Sequence, residues 1–119
     1  MDDTSTDNKA AALALGGLLR EHKGGNVVVM DLRPLHIWTD FFIIATVSSN
    51  THLQGLERYI REFAHQQCLE IRRNSHKRSL DDEWNLIDMG NIVIHLMTAN
   101  SRAFYELERL WSAAEILYF

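Results

Sequence analysis

Asp88 and His95 are isolated polar groups in apolar surroundings, the first closing the run Trp84–Asp88 and the second lying inside Ile92–Met97. With Asp31 and Asp40 they offer the oxygen and imidazole donors that hold a metal ion when strand ends converge. No local metal-ligand spacing supports this, and an aspartate at a strand end more often accepts hydrogen bonds in a turn. Two-metal phosphoryl chemistry would need a second carboxylate close to Asp88, but two positions on stands Gly90. Ser48 or Ser49 with His52 can be written as a hydroxyl and a base for acyl transfer. There is no nucleophile-elbow pattern around them, and nothing in the sequence brings a base beside either hydroxyl. Ser48-Ser49-Asn50-Thr51 serves better as a set of helix caps. The paired serines carry no glycine that would let backbone approach a phosphate, and no phosphate-loop or dinucleotide fingerprint occurs elsewhere.

The elements that must position these groups follow from periodicity. Residues 1–9 are polar and acidic at the start and read as a flexible terminus, leaving 10–119 as one domain. Ala10 through His22 has helical spacing, weakened by Gly16 and Gly17 and stopped by Gly24-Gly25-Asn26. Val27–Met30 and Phe41–Val47 are apolar at both parities, as strands of a sheet covered on both sides are. Pro34 places a turn between them. Leu53, Leu56, Ile60, Phe63 and Ala64 form the buried stripe of a helix running to about Cys68, which reads as a small buried or half-buried hydrophobe. Residues 69–80 make a loop or short edge strand. Trp84–Asp88 and Ile92–Met97, joined by Met89-Gly90-Asn91, make a hairpin. A last helix begins near Asn100 with Phe104, Leu107, Trp111, Ala114 and Leu117 as its core stripe. The fold class is α/β, a mixed sheet of about five strands packed with helices.

Composition narrows the function. Twelve Lys and Arg against sixteen Asp and Glu give a formal charge of −4, a poor match for naked nucleic acid and a suitable one for a basic protein. Arg72, Arg73, Lys77 and Arg78 are followed directly by Asp81-Asp82-Glu83, so no sequence-specific nucleic-acid binding is expected. A single cysteine excludes an internal disulfide and a multi-cysteine zinc knuckle. With no secretory or transit pattern and no apolar run near the ~20 residues that span a bilayer, the chain reads as cytoplasmic, with no membrane association.

Parity then favours docking over catalysis. In the last strand Ile92, Ile94 and Leu96 form a uniformly apolar side, and Asn91, Val93, His95 and Met97 a mixed one. Mixed, partly polar surface of this kind suits a partner. Trp84, Asp88, His95, Tyr105 and Arg109 are the partner-binding candidates. Asp88 would accept from Lys or Arg, and the two aromatic residues would supply contact area. The competing structural role is a His95 hydrogen-bonded inside the fold with Trp84 closing its core.

In order and spacing, Val27-Val28-Val29-Met30-Asp31, Asp40-Phe41-Phe42-Ile43-Ile44-Ala45-Thr46, Ser48-Ser49 with His52, Trp84 through His95, and Arg102 through Trp111 make a specific set. Over nearly all of residues 10–112 the chain resembles the Iojap-like ribosome silencing factor family. Two departures stand out: Val47 replaces a glycine common before the paired serines, and Arg73-Asn74-Ser75-His76 replaces a segment that usually contains one. The resemblance implies a nucleotidyltransferase-like topology without enzyme activity or cofactor. It implies a cytoplasmic translational repressor that binds the large ribosomal subunit through its universal protein fourteen and blocks joining of the small subunit. It also implies a possible homodimer. The alternative is a nucleotide-dependent transferase with a cryptic site.

Overall fold

Apolar runs of both parities at 27–30 and 41–47 require a sheet with cover on each side, and that is what forms. The computed structural model describes residues 4–79, 82–106, 109 and 115–117. In chain order the elements are α1 (Thr4–Glu21), β1 (Gly25–Asp31), β2 (Phe41–Thr46), α2 (Asn50–Gln66), β3 (Arg73–Ser79), β4 (Asp82–Asp88), β5 (Ile92–Met97), α3 (Ala99–Tyr105) and β6 (Glu115–Ile116). The sheet runs β3-β4-β5-β2-β1-β6, mixed because β2 and β5 are parallel while the other neighbours are antiparallel.

One face carries Val27, Val29, Phe41, Ile43, Ile94 and Leu96 against Leu15 and Leu19 of α1 and Leu53, Leu56 and Ile60 of α2. The opposite face carries Met30, Phe42, Ile44, Val93 and Met97, covered by Leu32, Leu35 and Ile37 of the segment joining β1 to β2 and by Tyr105 of α3. That segment folds back through a short 3-10 turn at Arg33–Leu35, with Pro34 at its start. Asp31 anchors it: its carboxylate accepts from Arg33 Nη2 at 2.7 Å, from Nε at 2.9 Å and from the Arg33 amide at 3.0 Å. The hydrogen bonds from Arg33 hold the Asp31 carboxyl below its ordinary range although burial opposes them. This use of Asp31 is a structural one.

Four details differ from the sequence expectation. α1 begins at Thr4 rather than Ala10, which puts part of the polar start into helix. Cys68 is exposed, at a positive φ of 56° just past α2, so it is not packed as a hydrophobe. α3 ends at Tyr105, because Glu106 turns left-handed (φ 48°) and its amide donates to the Arg102 carbonyl. Phe104 therefore lies in solvent instead of in a core stripe, and Ser101 and Tyr105 turn inward. Helical period says which residues share a stripe, not which stripe meets the sheet. Leu107, Trp111 and Ala114 lie outside the described residues. Leu117 belongs to no helix: it follows β6, an extra strand paired to Met30 and Asp31, and its amide donates to the Val29 carbonyl at 2.8 Å.

Candidate docking face

β4 and β5 bring the polar candidates together through their register. Trp84 lies opposite Met97, Leu86 opposite His95 and Asp88 opposite Val93. Opposed residues of an antiparallel pair share a face, so Trp84 and His95 meet as diagonal neighbours on the side away from α1 and α2. Trp84 Nε1 donates to His95 Nδ1 at 3.0 Å. The strand parity of β5 is as expected, but from Val93 to Met97 its mixed side is buried by the chain itself, and His95 is only 3% exposed.

Around this pair the rings form a row across the sheet. From α3 inward, Phe104 meets Tyr105 edge-on at 5.0 Å, and Tyr105 leans on Trp84 at 4.7 Å. Trp84 lies 5.7 Å from His95, His95 meets Phe42 edge-on at 4.6 Å, and Phe42 reaches Trp38 at 6.0 Å. Edge-to-face and tilted contacts at these distances are the ones the ring quadrupole favours, each adding about 0.5–1.5 kcal/mol to area burial. The middle of the row is packed and its ends are open: Trp38 is 62% and Phe104 77% exposed. α3 is held in place by its Thr98 cap and by Arg102, whose Nη1 donates to Thr46 Oγ1 at 2.9 Å and to the Gly25 carbonyl at 3.2 Å.

His95 is the polar centre of the row. Burial pushes its pKa down to about 4, so the ring is neutral and keeps the lone pair that Trp84 needs. Because the folded value lies below the ordinary 6.5, the unfolded chain takes up the proton first as pH falls. Stability from this residue is complete above pH 6.5, declines as pH drops toward about 4, and is lost by about 3 kcal/mol in all. A His95→Gln variant, whose amide oxygen can still accept from the indole, should show a shallower decline by up to one proton between pH 4.5 and 6 in urea titrations. An unchanged slope would refute the assignment.

The remaining candidates lie outside the row of rings. Asp88 ends β4, where its Oδ1 accepts from the Gly90 amide at 2.7 Å and shapes the turn into β5; Gly90 supplies the positive φ of 89°. Arg109 is exposed beyond α3 and pairs with Glu106 at 3.6 Å. Trp38 and Phe104 were not among the sequence candidates. The only signal for Trp38 was a large ring in an otherwise turn-like segment.

The acyl-transfer arrangement also needs a correction, since the fold does place His52 beside Ser48, with Nδ1 3.2 Å from Oγ. The same nitrogen accepts from the Ser48 amide at 3.0 Å, Ser49 Oγ accepts from the His52 amide at 3.0 Å, and Nε2 meets the His22 carbonyl at 3.1 Å. This is a variant of the reciprocal cap at the start of α2: histidine takes the position usual for Glu or Gln, and its ring reaches the amide of Ser48, one residue before the capping Ser49. Its lone pair is shared with a backbone donor, which makes it a poor general base. Among the described residues no group of three or more His, Cys, Asp or Glu side chains is placed to hold a metal ion, and no helix is long and apolar enough to cross a membrane.

Comparison with known proteins places the chain in a family. The family model described as ribosomal silencing factor during starvation matches residues 4–117. The chain belongs to the ribosomal silencing factor family. A ribosomal silencing factor of Treponema pallidum is 39% identical over 103 residues, 85% of this chain and 89% of that protein. A mouse relative named mitochondrial assembly of ribosomal large subunit protein 1 is 32% identical over 82% of this chain, which spans 43% of that longer protein. A crystal structure from Bacillus halodurans superposes with a TM-score of 0.71 at 26% identity, covering 96% of this chain and 99% of the other. Membership carries the silencing role, a form of translation regulation, and the six-stranded mixed sheet agrees with the fold class expected for the family.

Proposed function

We propose that this protein represses translation by binding the large ribosomal subunit with its aromatic face and sterically preventing the small subunit from joining. The carrying observation is the row of rings whose packed centre holds Trp38 and Phe104 exposed at its ends. Large apolar groups left in solvent beside a rigid, desolvated centre have the make-up of interface anchors. The net charge of −4 complements a basic ribosomal protein, and universal protein fourteen of the large subunit is the partner that fits the family. Trp84, His95 and Tyr105 shape the face from beneath, and Asp88 and Arg109, outside the row of rings, supply charge. No covalent step is needed, because occupancy alone blocks assembly, and the work belongs to the cytoplasm where subunits meet. A homodimer through the same face would compete with the ribosome.

Purified protein should co-sediment with isolated large subunits and lower the yield of joined ribosomes in proportion to occupancy, without added nucleotide. Loss of large subunits from the joined peak with no bound protein, or binding with no effect on joining, would sink the steric account. Mass measured against concentration, with and without large subunits, reports the dimer: it should disappear as the complex forms.

A further inference from the structure

The positive charge of this acidic chain is concentrated at one edge of the sheet. Four of the twelve Lys and Arg fall between residues 72 and 78, a stretch with none of the sixteen Asp and Glu. β3, which carries three of them, is the open edge of the sheet. Its register with β4 sets Arg73 opposite Asp88 and Lys77 opposite Trp84. Position 73 therefore belongs to the aromatic face. Asn74, one residue on, turns the other way, its amide donating to Glu57 of α2 at 3.0 Å.

Arg72 and Arg73 are both exposed. Arg72 rests its guanidinium over Gly90, and its ion pair with Glu70 is long at 3.9 Å and open to solvent on both sides, so it holds the arginine weakly. Among the described residues Arg73 has no ion pair, and the Oδ1 of Asp88 across from it accepts from the Gly90 amide. Asp82 and Glu83 lie across from Ser79 and Arg78, at the far end of the β3–β4 pair. At ~3.3 Å per residue they are about 16–20 Å from Arg73 along the strand, about twice a Debye length of about 8 Å at physiological salt.

A large ribosomal subunit presents protein and RNA phosphate side by side, and this surface has a matching division, aromatic in one part and basic at its margin. We infer that the β3 edge is a phosphate-contacting margin: with the aromatic row on ribosomal protein, Arg72 and Arg73 meet the RNA backbone of the same subunit. This rests on the docking proposed above. The contact carries no sequence information, since it reads charge and not base edges.

The test compares wild type, Arg72→Glu/Arg73→Glu and Arg72→Lys/Arg73→Lys for affinity to intact large subunits and for hydroxyl-radical footprints on the subunit RNA, with folding checked by circular dichroism. Wild type should protect a stretch of RNA backbone. The Glu pair should lose that protection and about 30-fold in affinity near 0.1 M salt, with a log–log salt dependence shallower by about 2. The Lys pair should stay within about threefold, because phosphate accepts a point charge. A Glu pair that binds like wild type, or one that binds weakly although wild type protects no RNA, overturns the margin and leaves the docking standing. A wild type that does not bind subunits at all overturns both.

Discussion

Trp84→Ala is expected to lower folding stability by about 3 kcal/mol, the lower end of the range for removing a large aromatic side chain, because Trp84 is only partly buried. Three losses add up. The indole fills the space between β4 and α3, where Tyr105 leans on it at 4.7 Å. Its Nε1 supplies the hydrogen bond to Nδ1 of His95, and without it a buried acceptor is left unpaired at a cost of about 1–3 kcal/mol. The row of rings is also cut in its middle, so α3 loses its main packing partner on the sheet and Phe104 loses its fixed position. Trp84→Phe separates the first loss from the second: it keeps most of the packing, lacks the donor, and should cost about 1–2 kcal/mol. Urea unfolding at pH 7 with unchanged slope would measure both. If Trp84→Ala costs under about 1 kcal/mol, Trp84 does not organise this face.

The mutual dependence of Trp84 and His95 explains why their chemistry was legible in the sequence and their role was not. Parity places both on one side of two strands, and the compact turn at Met89-Gly90-Asn91 fixes the register that makes them neighbours. An isolated His and Asp among apolar residues look like catalytic groups until the partners are known. Here Asp31 is taken by Arg33, Asp88 by its own turn and His95 by Trp84, each use set by contacts that a linear pattern does not contain.

The strands read well for a physical reason. β1, β2 and β5 lie inside the sheet, where cover on both faces favours apolar residues at both parities. Elements at the margin read poorly. β3 is polar because its outer edge is open, and β6 is two residues long and owes its existence to pairing with β1. α3 stops after Tyr105 because of a left-handed Glu106, a conformation to which glutamate gives no sequence clue. The two exposed ends of the aromatic row fall in these poorly legible parts, Trp38 beyond the 3-10 turn and Phe104 near the end of α3. A ring in such a place is conspicuous only once the fold leaves it uncovered.

Replacing those two ends should separate binding from folding. Trp38→Ala and Phe104→Ala remove side chains that are mostly in solvent, so each should change stability by less than about 0.5–1 kcal/mol. On a partner they would go from water to full burial, as interface anchors do, and a loss of about 2 kcal/mol each corresponds to about 30-fold in affinity for the large subunit. The two sit at opposite ends of a row of rings and do not touch, so their effects should combine almost independently, giving about a thousandfold in the double variant. Subunit joining should recover in step with the lost occupancy. This pattern is opposite to that of Trp84→Ala, in which folding suffers first and binding follows. Equal binding by the double variant and wild type, with both folded, would mean that the partner sits on another surface, and the burial on this face would then serve the fold alone.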